Sequence, residues 1–313
     1  MSVAFTFPGQ GSQTVGMGKA LADAFFEAAS VFEAVDDALG EKLSTIIFEG
    51  PIETLTLTEN AQPALMAVSL ATVRVLEARG VGVHHHVAYV AGHSLGEYSA
   101  LAAAGALSVA DAARLLRIRG KAMQQAVPVG IGAMAALIGM ELDAARQVAA
   151  EAAQGEVCEA ANDNGGGQVV ISGHTAAVER AMDIAKAKGA KRVLLLPVSA
   201  PFHCALMQPA AEVMRTALAA VQLHKPVVPL VANVVAQPIS DPEEIRRRLV
   251  EQVTGTVRWR ESVAWLGSAG VRTFVEIGAG KVLSGLAKRI VDNVETIAIG
   301  TPADIDAAVA KLA

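Results

Sequence analysis

Val87-Ala88-Tyr89-Val90-Ala91-Gly92-His93-Ser94-Leu95-Gly96 runs from an apolar segment through a glycine-flanked serine. Residues 87–91 read as a buried strand and 95–104 as a helix. The pattern between them is G-x-S-x-G. A serine nucleophile needs this placement, because a tight strand-to-helix turn exposes its hydroxyl and the glycines let the backbone close around it. The helix start also directs free N–H groups towards charge developing beside Ser94. A glycine-rich turn without chemistry is the other reading of the same five residues. For the fold, a strand that feeds a helix in this way is the repeating unit of an α/β protein with a mostly parallel sheet.

Outward from this turn the alternation continues. Strands are expected at 3–7, 227–231, 273–277 and 295–299. Helices are expected at 63–79, 109–126, 203–220, 242–253, 259–269 and from Lys281. The middle of the chain breaks the rhythm after Pro128-Val129-Gly130. Strand 133–140, helix 142–153, strands 157–161 and 168–172, helix 175–188 and strand 192–198 give β-α-β-β-α-β, the order of a ferredoxin-like module. The expected organisation is a large α/β domain made of residues 1–127 and 199–313, with residues 128–198 as an inserted small domain. A cleft between two such units is a favoured ligand site.

Composition narrows the function classes. Of 313 residues, 26 are basic and 31 acidic, a net charge of −5 that lacks the strongly basic balance of a nucleic-acid binder. Apolar residues make up 52% and charged ones 18%, so disorder is excluded and a large core is easily built. Cys158 and Cys204 are the two cysteines, too few for a disulfide framework or a cysteine-based metal site. The start of the chain reads without a signal peptide. The uncharged run 122–140 contains Gln124, Gln125, Pro128 and three glycines, which suits no membrane span. A cytoplasmic protein without a membrane anchor is expected.

Ser94 requires a base, and histidine titrates in the right range. His84, His85 and His86 read as a solvated strand entry, His93 as pointing away from the serine, and His174 and His224 as turn residues. His203 opens the expected helix 203–220 just after the chain leaves the inserted module, at the rim of the cleft, and is favoured. Arg119 lies in the apolar stripe of helix 109–126 with Ala112, Leu115, Leu116, Ala122 and Met123, whereas Arg114, Arg117 and Lys121 take the solvated face. A buried guanidinium needs a carboxylate or phosphate from the protein or from a ligand. The loop Pro8-Gly9-Gln10-Gly11-Ser12-Gln13 fails G-x-G-x-x-G at Thr14 but can offer a backbone N–H to an oxyanion. Gly278-Ala279-Gly280-Lys281 lacks the rest of a phosphate loop and reads as a structural turn.

Together FPGQGSQ at 7–13, GHSLGEYSAL at 92–101, RGKAMQQAVP at 119–128, NGGGQVVISG at 164–173 and FVEIGAGKVL at 274–283 resemble the malonyl-CoA:acyl carrier protein transacylases of fatty-acid synthesis. The resemblance covers essentially the whole chain in order. It implies an α/β-hydrolase-like large domain with the ferredoxin-like insertion. It also implies an acylated Ser94, His203 as general base and acid, and an oxyanion hole from the N–H groups of Gln10 and Leu95. Arg119 is implied to pair with the malonyl carboxylate, the Gln252 main-chain carbonyl to orient the histidine, and Asn162 to lie at the site. Leu95 and Phe202 are similar to the residues of malonyl-selective members.

The implied partners are malonyl-CoA and an acyl carrier protein, both substrates, with no metal or redox cofactor and a monomer as the expected state. Lys186, Lys188, Lys191 and Arg192, residues 246–248, and residues 258–260 are candidate basic patches for an acidic carrier protein. A serine thioesterase or esterase is the alternative enzyme, and a polyketide or related pathway the alternative setting.

Overall fold

The computed structural model describes residues 2–198 and 200–312; Ser199, where the expected large domain resumes, lies outside the described residues. Strands are numbered in chain order: β1 Ser2–Phe7, β2 Tyr89–Gly92, β3 Gly132–Ile138, β4 Cys158–Asp163, β5 Gln168–His174, β6 Arg192–Leu195, β7 Leu230–Ala232, β8 Gln237–Ile239, β9 Val271–Ile277 and β10 Glu295–Ile299. Period-two alternation builds the first of them. Phe5 and Phe7 join the core on one face of the sheet, and Ala4 joins the second apolar cluster with Trp259 and Phe274. Burial on both faces is what a parallel sheet covered by helices on each side demands.

Six strands form that sheet in the order β10-β9-β1-β2-β7-β8, parallel throughout except for the β7–β8 hairpin. The remaining four form an antiparallel sheet in the order β4-β5-β3-β6, with helices Leu142–Ala153 and Thr175–Ala187 packed on it. The fold is thus mixed α/β, as expected. Both helices of the smaller sheet turn an alanine-rich stripe inward, including Ala145, Ala149, Ala152, Ala177 and Ala181, so they lie close against the strands.

Several boundaries depart from expectation. The helix expected from Pro63 begins at Thr58 and carries the proline inside. Thr58–Ala78 is buried along most of its length between neighbouring helices, so packing outweighs proline's preference for a first turn. The helix expected at His203 begins later: a 3-10 turn Ala205–Met207 precedes the helix Gln208–Ala219, and His203 itself has φ 58°. His84–His86 belong to a short helical turn, Val83–His86, rather than a strand entry. The amino-terminal helices, of which Phe26–Leu39 is the longest, and Pro302–Leu312 at the other end were not anticipated. Gly40 closes Phe26–Leu39 in the left-handed conformation that glycine adopts without strain.

Candidate active site

The turn after β2 is sterically committed. Ser94 sits at φ 52°, uncommon for a residue with a side chain. A Cβ on Gly92 would lie 1.9 Å from the Gly96 carbonyl carbon, and one on Gly96 would lie 2.3 Å from the Phe7 carbonyl oxygen. The two glycines therefore let β1, β2 and the helix Gly96–Ala103 meet, and that meeting lifts the serine hydroxyl out of the turn. The Ser94 N–H donates to Asn233 Oδ1 at 2.8 Å, so it is engaged. The N–H groups of Leu95 and Gln10 make no hydrogen bond to another described residue, and both residues line the cavity over Ser94.

That cavity has a volume of about 370 Å³. Its wall brings together Gln10, Ser94, Leu95, Arg119, Asn162, Phe202 and His203, seven of the eight residues singled out from the sequence. Gln252 stands behind them, fully buried. Ser94 Oγ and His203 Nε2 are 2.7 Å apart, and His203 Nδ1 lies 2.8 Å from the Gln252 carbonyl oxygen. That carbonyl can only accept, so it fixes the tautomer with the proton on Nδ1 and leaves Nε2 free to accept from the serine. Burial, helped by the neighbouring Arg119 charge, pulls the His203 pKa down to about 3. The imidazole is thus neutral at physiological pH, the form a base must have.

Arg119 is 1% exposed. One Nη donates to Gln62 Oε1 at 2.8 Å, and the other donates to Gln252 Oε1 at 2.8 Å and to Ser94 Oγ at 3.1 Å. Its Nε has no hydrogen-bond partner, and no carboxylate forms an ion pair with it among the described residues. Two residues along the same helix, Arg117 behaves differently. Expected on the solvated face, its side chain is only 12% exposed, and it pairs with Glu41 and Asn60. Its burial follows from the amino-terminal helices that the sequence reading did not place.

His93, expected to point away, lines the same cavity, with Nε2 2.9 Å from Asn164 Oδ1. Burial lowers its pKa despite that bond. Sequence reasoning also missed Asn233, Glu97 and Gln62. Glu97 left a signal, a lone carboxylate in the apolar run GHSLGEYSAL, whereas Asn233 and Gln62 left none. The candidate basic patches are largely paired internally, Lys186 with Asp183, Lys188 with Glu151, Arg248 with Glu244 and Glu251, Arg258 with Glu261, and Arg260 with Asp163.

A serine at the end of a parallel strand, bonded to a histidine and beside an arginine without an ion pair, suits acyl transfer. The chain belongs to the acyl transferase domain family, whose pattern matches residues 4–303, and it is an acyltransferase. It is 47% identical over 311 residues to the malonyl CoA-acyl carrier protein transacylase of Bacillus subtilis (strain 168), covering 99% of this chain and 97% of that one. The crystal structure of an acyl-carrier-protein-S-malonyltransferase from Bartonella henselae is 60% identical, with a TM-score of 0.98 over 100% of this chain and 99% of that one. A malonyl-transacylase solved in complex with its type II PKS acyl-carrier protein is 43% identical, with a TM-score of 0.96 over 99% and 100%.

Proposed function

We propose that the protein moves a malonyl group from malonyl-CoA to the phosphopantetheine thiol of an acyl carrier protein through a malonyl ester on Ser94. The observation that carries this reading is the arginine at the nucleophile: Arg119 is buried, donates to Ser94 Oγ and lacks a carboxylate. A malonyl carboxylate would pair with that guanidinium while its thioester carbon lies at the serine. Names of relatives at 47% identity agree with it. A thioesterase or esterase would use the same turn but gives no reason to bury a cation there without an ion pair.

In this reading His203 takes the Ser94 proton as Oγ attacks the thioester carbonyl. The N–H groups of Gln10 and Leu95 hold the oxyanion, and a single such donor is typically worth about 2.7–4 kcal/mol. Coenzyme A leaves as its thiol with the proton from His203. The carrier thiol then gives its proton to His203 and takes the acyl group, regenerating Ser94. The substrate carboxylate also neutralises the Arg119 charge that weakens His203 as a base, so the correct acyl group helps activate its own acceptor. Every step uses groups of this chain and the two substrates, with no metal or redox cofactor. Gln252 orients His203, and Asn162 and Phe202 shape the acyl pocket.

The domain division belongs to the same proposal: residues 1–127 and 199–313 carry the nucleophile and base, and 128–198 supplies the facing wall. The same proposal takes the enzyme to be a cytoplasmic monomer; no described helix is long and apolar enough to cross a membrane. The likeness to a PKS malonyl-transacylase keeps polyketide supply as the second setting. Intact mass after mixing with malonyl-CoA tests the reaction. Wild type should gain one malonyl group and Ser94→Ala none; an unlabelled wild type would overturn the reading.

A further inference from the structure

Glu97 is 1% exposed on the helix Gly96–Ala103, three residues past the nucleophile, and no basic side chain forms an ion pair with it among the described residues. A buried carboxylate without an ion pair is costly; burial raises its pKa, and the Asn233 and Gln252 hydrogen bonds and the nearby Arg119 charge pull it back towards the charged form. Both of its oxygens are nevertheless engaged. Oε1 accepts from the Asn233 N–H at 2.6 Å, and Oε2 accepts from Gln252 Nε2.

Those two partners reach Ser94, His203 and Arg119. Asn233 Oδ1 holds the Ser94 N–H, and its Nδ2 donates to the Gly92 carbonyl at 2.7 Å. Gln252 serves three groups: its main-chain oxygen faces His203 Nδ1, its Oε1 accepts from Arg119, and its Nε2 donates to the Ser94 carbonyl at 2.8 Å as well as to Glu97. A glutamine amide has nearly the same shape either way round, so its neighbours decide which end points where. Here Glu97 and the Ser94 carbonyl both accept from Nε2 while Arg119 donates to Oε1, so the three hold the amide the same way round and Glu97 anchors its far side.

We propose that Glu97 is a positioning residue for acyl transfer: through Gln252 and Asn233, its carboxylate sets the orientation of His203, Arg119 and the Ser94 turn at once. In Ser-His-Asp enzymes the carboxylate touches the histidine directly; here it acts one residue removed. The proposal rests on Ser94 being the nucleophile. Replacing Glu97 with glutamine keeps the shape but sets an NH₂ against one of two donors, which pushes the Gln252 amide or the Asn233 backbone from its place.

The test measures Ser94 modification by two reagents in folded Glu97→Gln and Glu97→Asp. Phenylmethylsulfonyl fluoride needs Ser94 and His203 alone; malonyl-CoA should need Arg119 too. Glu97→Gln is expected to slow sulfonylation about 10-fold and malonylation about 100-fold, with Glu97→Asp recovering part of each because it keeps two acceptors. In a Gln252→Met background the Glu97→Gln effect should shrink to about 2-fold, since the partner it acts through is gone. Rates within 2-fold of wild type in folded Glu97→Gln, full multiplication of the two losses, or failure of both variants to fold would each overturn the role in favour of a merely structural one. A wild type that is sulfonylated at Ser94 but never malonylated would instead overturn the malonyl reading, with the sulfonylation rates still judging Glu97.

Discussion

The two sheets of this chain solve different problems. The ends of the parallel strands gather Glu97, Arg119, His203, Asn233 and Gln252, all buried and polar, around a serine at positive φ. The antiparallel sheet packs an apolar core of small residues with Leu137, Val148, Val169 and Ile171, and its buried polar side chains include Asn162 and Asp163 at one edge strand and Ser172 beside it. One region accepts costly groups so that chemistry can occur; the other offers a well-packed wall. Substitutions in the two should therefore separate activity from stability.

The largest expected effect is at Arg119. Arg119→Ala removes a buried charge along with its side chain, so the protein should fold, while malonyl transfer loses about 2–5 kcal/mol of binding, roughly 30- to 4,000-fold in kcat/KM. Acetyl transfer, which offers no carboxylate, should fall far less. Rates with malonyl- and acetyl-CoA decide this, and an equal loss on both would erase the contrast between the regions. Next is the opposite experiment: Leu137→Ala in the apolar wall should cost about 2–5 kcal/mol of stability in urea unfolding and leave kcat of the folded protein near wild type.

A graded effect, small at any single pH step, comes from His203. With its pKa near 3 when folded and 6.5 when free, the unfolded chain binds a proton that the folded one refuses between those values. Stability should therefore fall as pH drops from 6.5 to 3, by about 1.4 kcal/mol per unit. His203→Gln should lack that component when unfolding midpoints are compared across pH; identical pH profiles would show the histidine to be better solvated than its burial suggests. The smallest concerns docking. Lys191 and Arg192 are exposed and form no ion pair among the described residues, unlike most of the other candidate charges. Reversing both should raise KM for the carrier protein about 3-fold and leave acylation by malonyl-CoA unchanged, because rim charges act mainly on encounter.

The turn at Ser94 was legible because its determinants are local: a strand, two glycines and a helix within a dozen residues. Arg119 was legible because helical periodicity exposes a charge on an apolar face. The order of the smaller sheet's elements was legible for the same reason. Asn233 was not, since it meets Ser94 across 139 residues of sequence and nothing nearby marks it. His203 was picked for its place in the chain order, but its left-handed conformation was missed because the expected helix was drawn through it. The roles of Gln10, Gln252 and Asn162 came with the family resemblance rather than from their surroundings.

The strand β4 makes one connection whose consequence is mechanical. Its backbone bonds the segment before Trp259, with Asp163 N–H to Val257 O at 3.0 Å and Val257 N–H to Ala161 O at 2.9 Å, and Asp163 also grips Arg260. Asn162, on the cavity wall, sits in the middle of this seam. Opening the cleft as a jaw at this point would have to break these bonds, so the seam resists it. In the proposed reaction an acyl group would then be gauged by length and charge against a slot of one preferred width, as a caliper sorts rods.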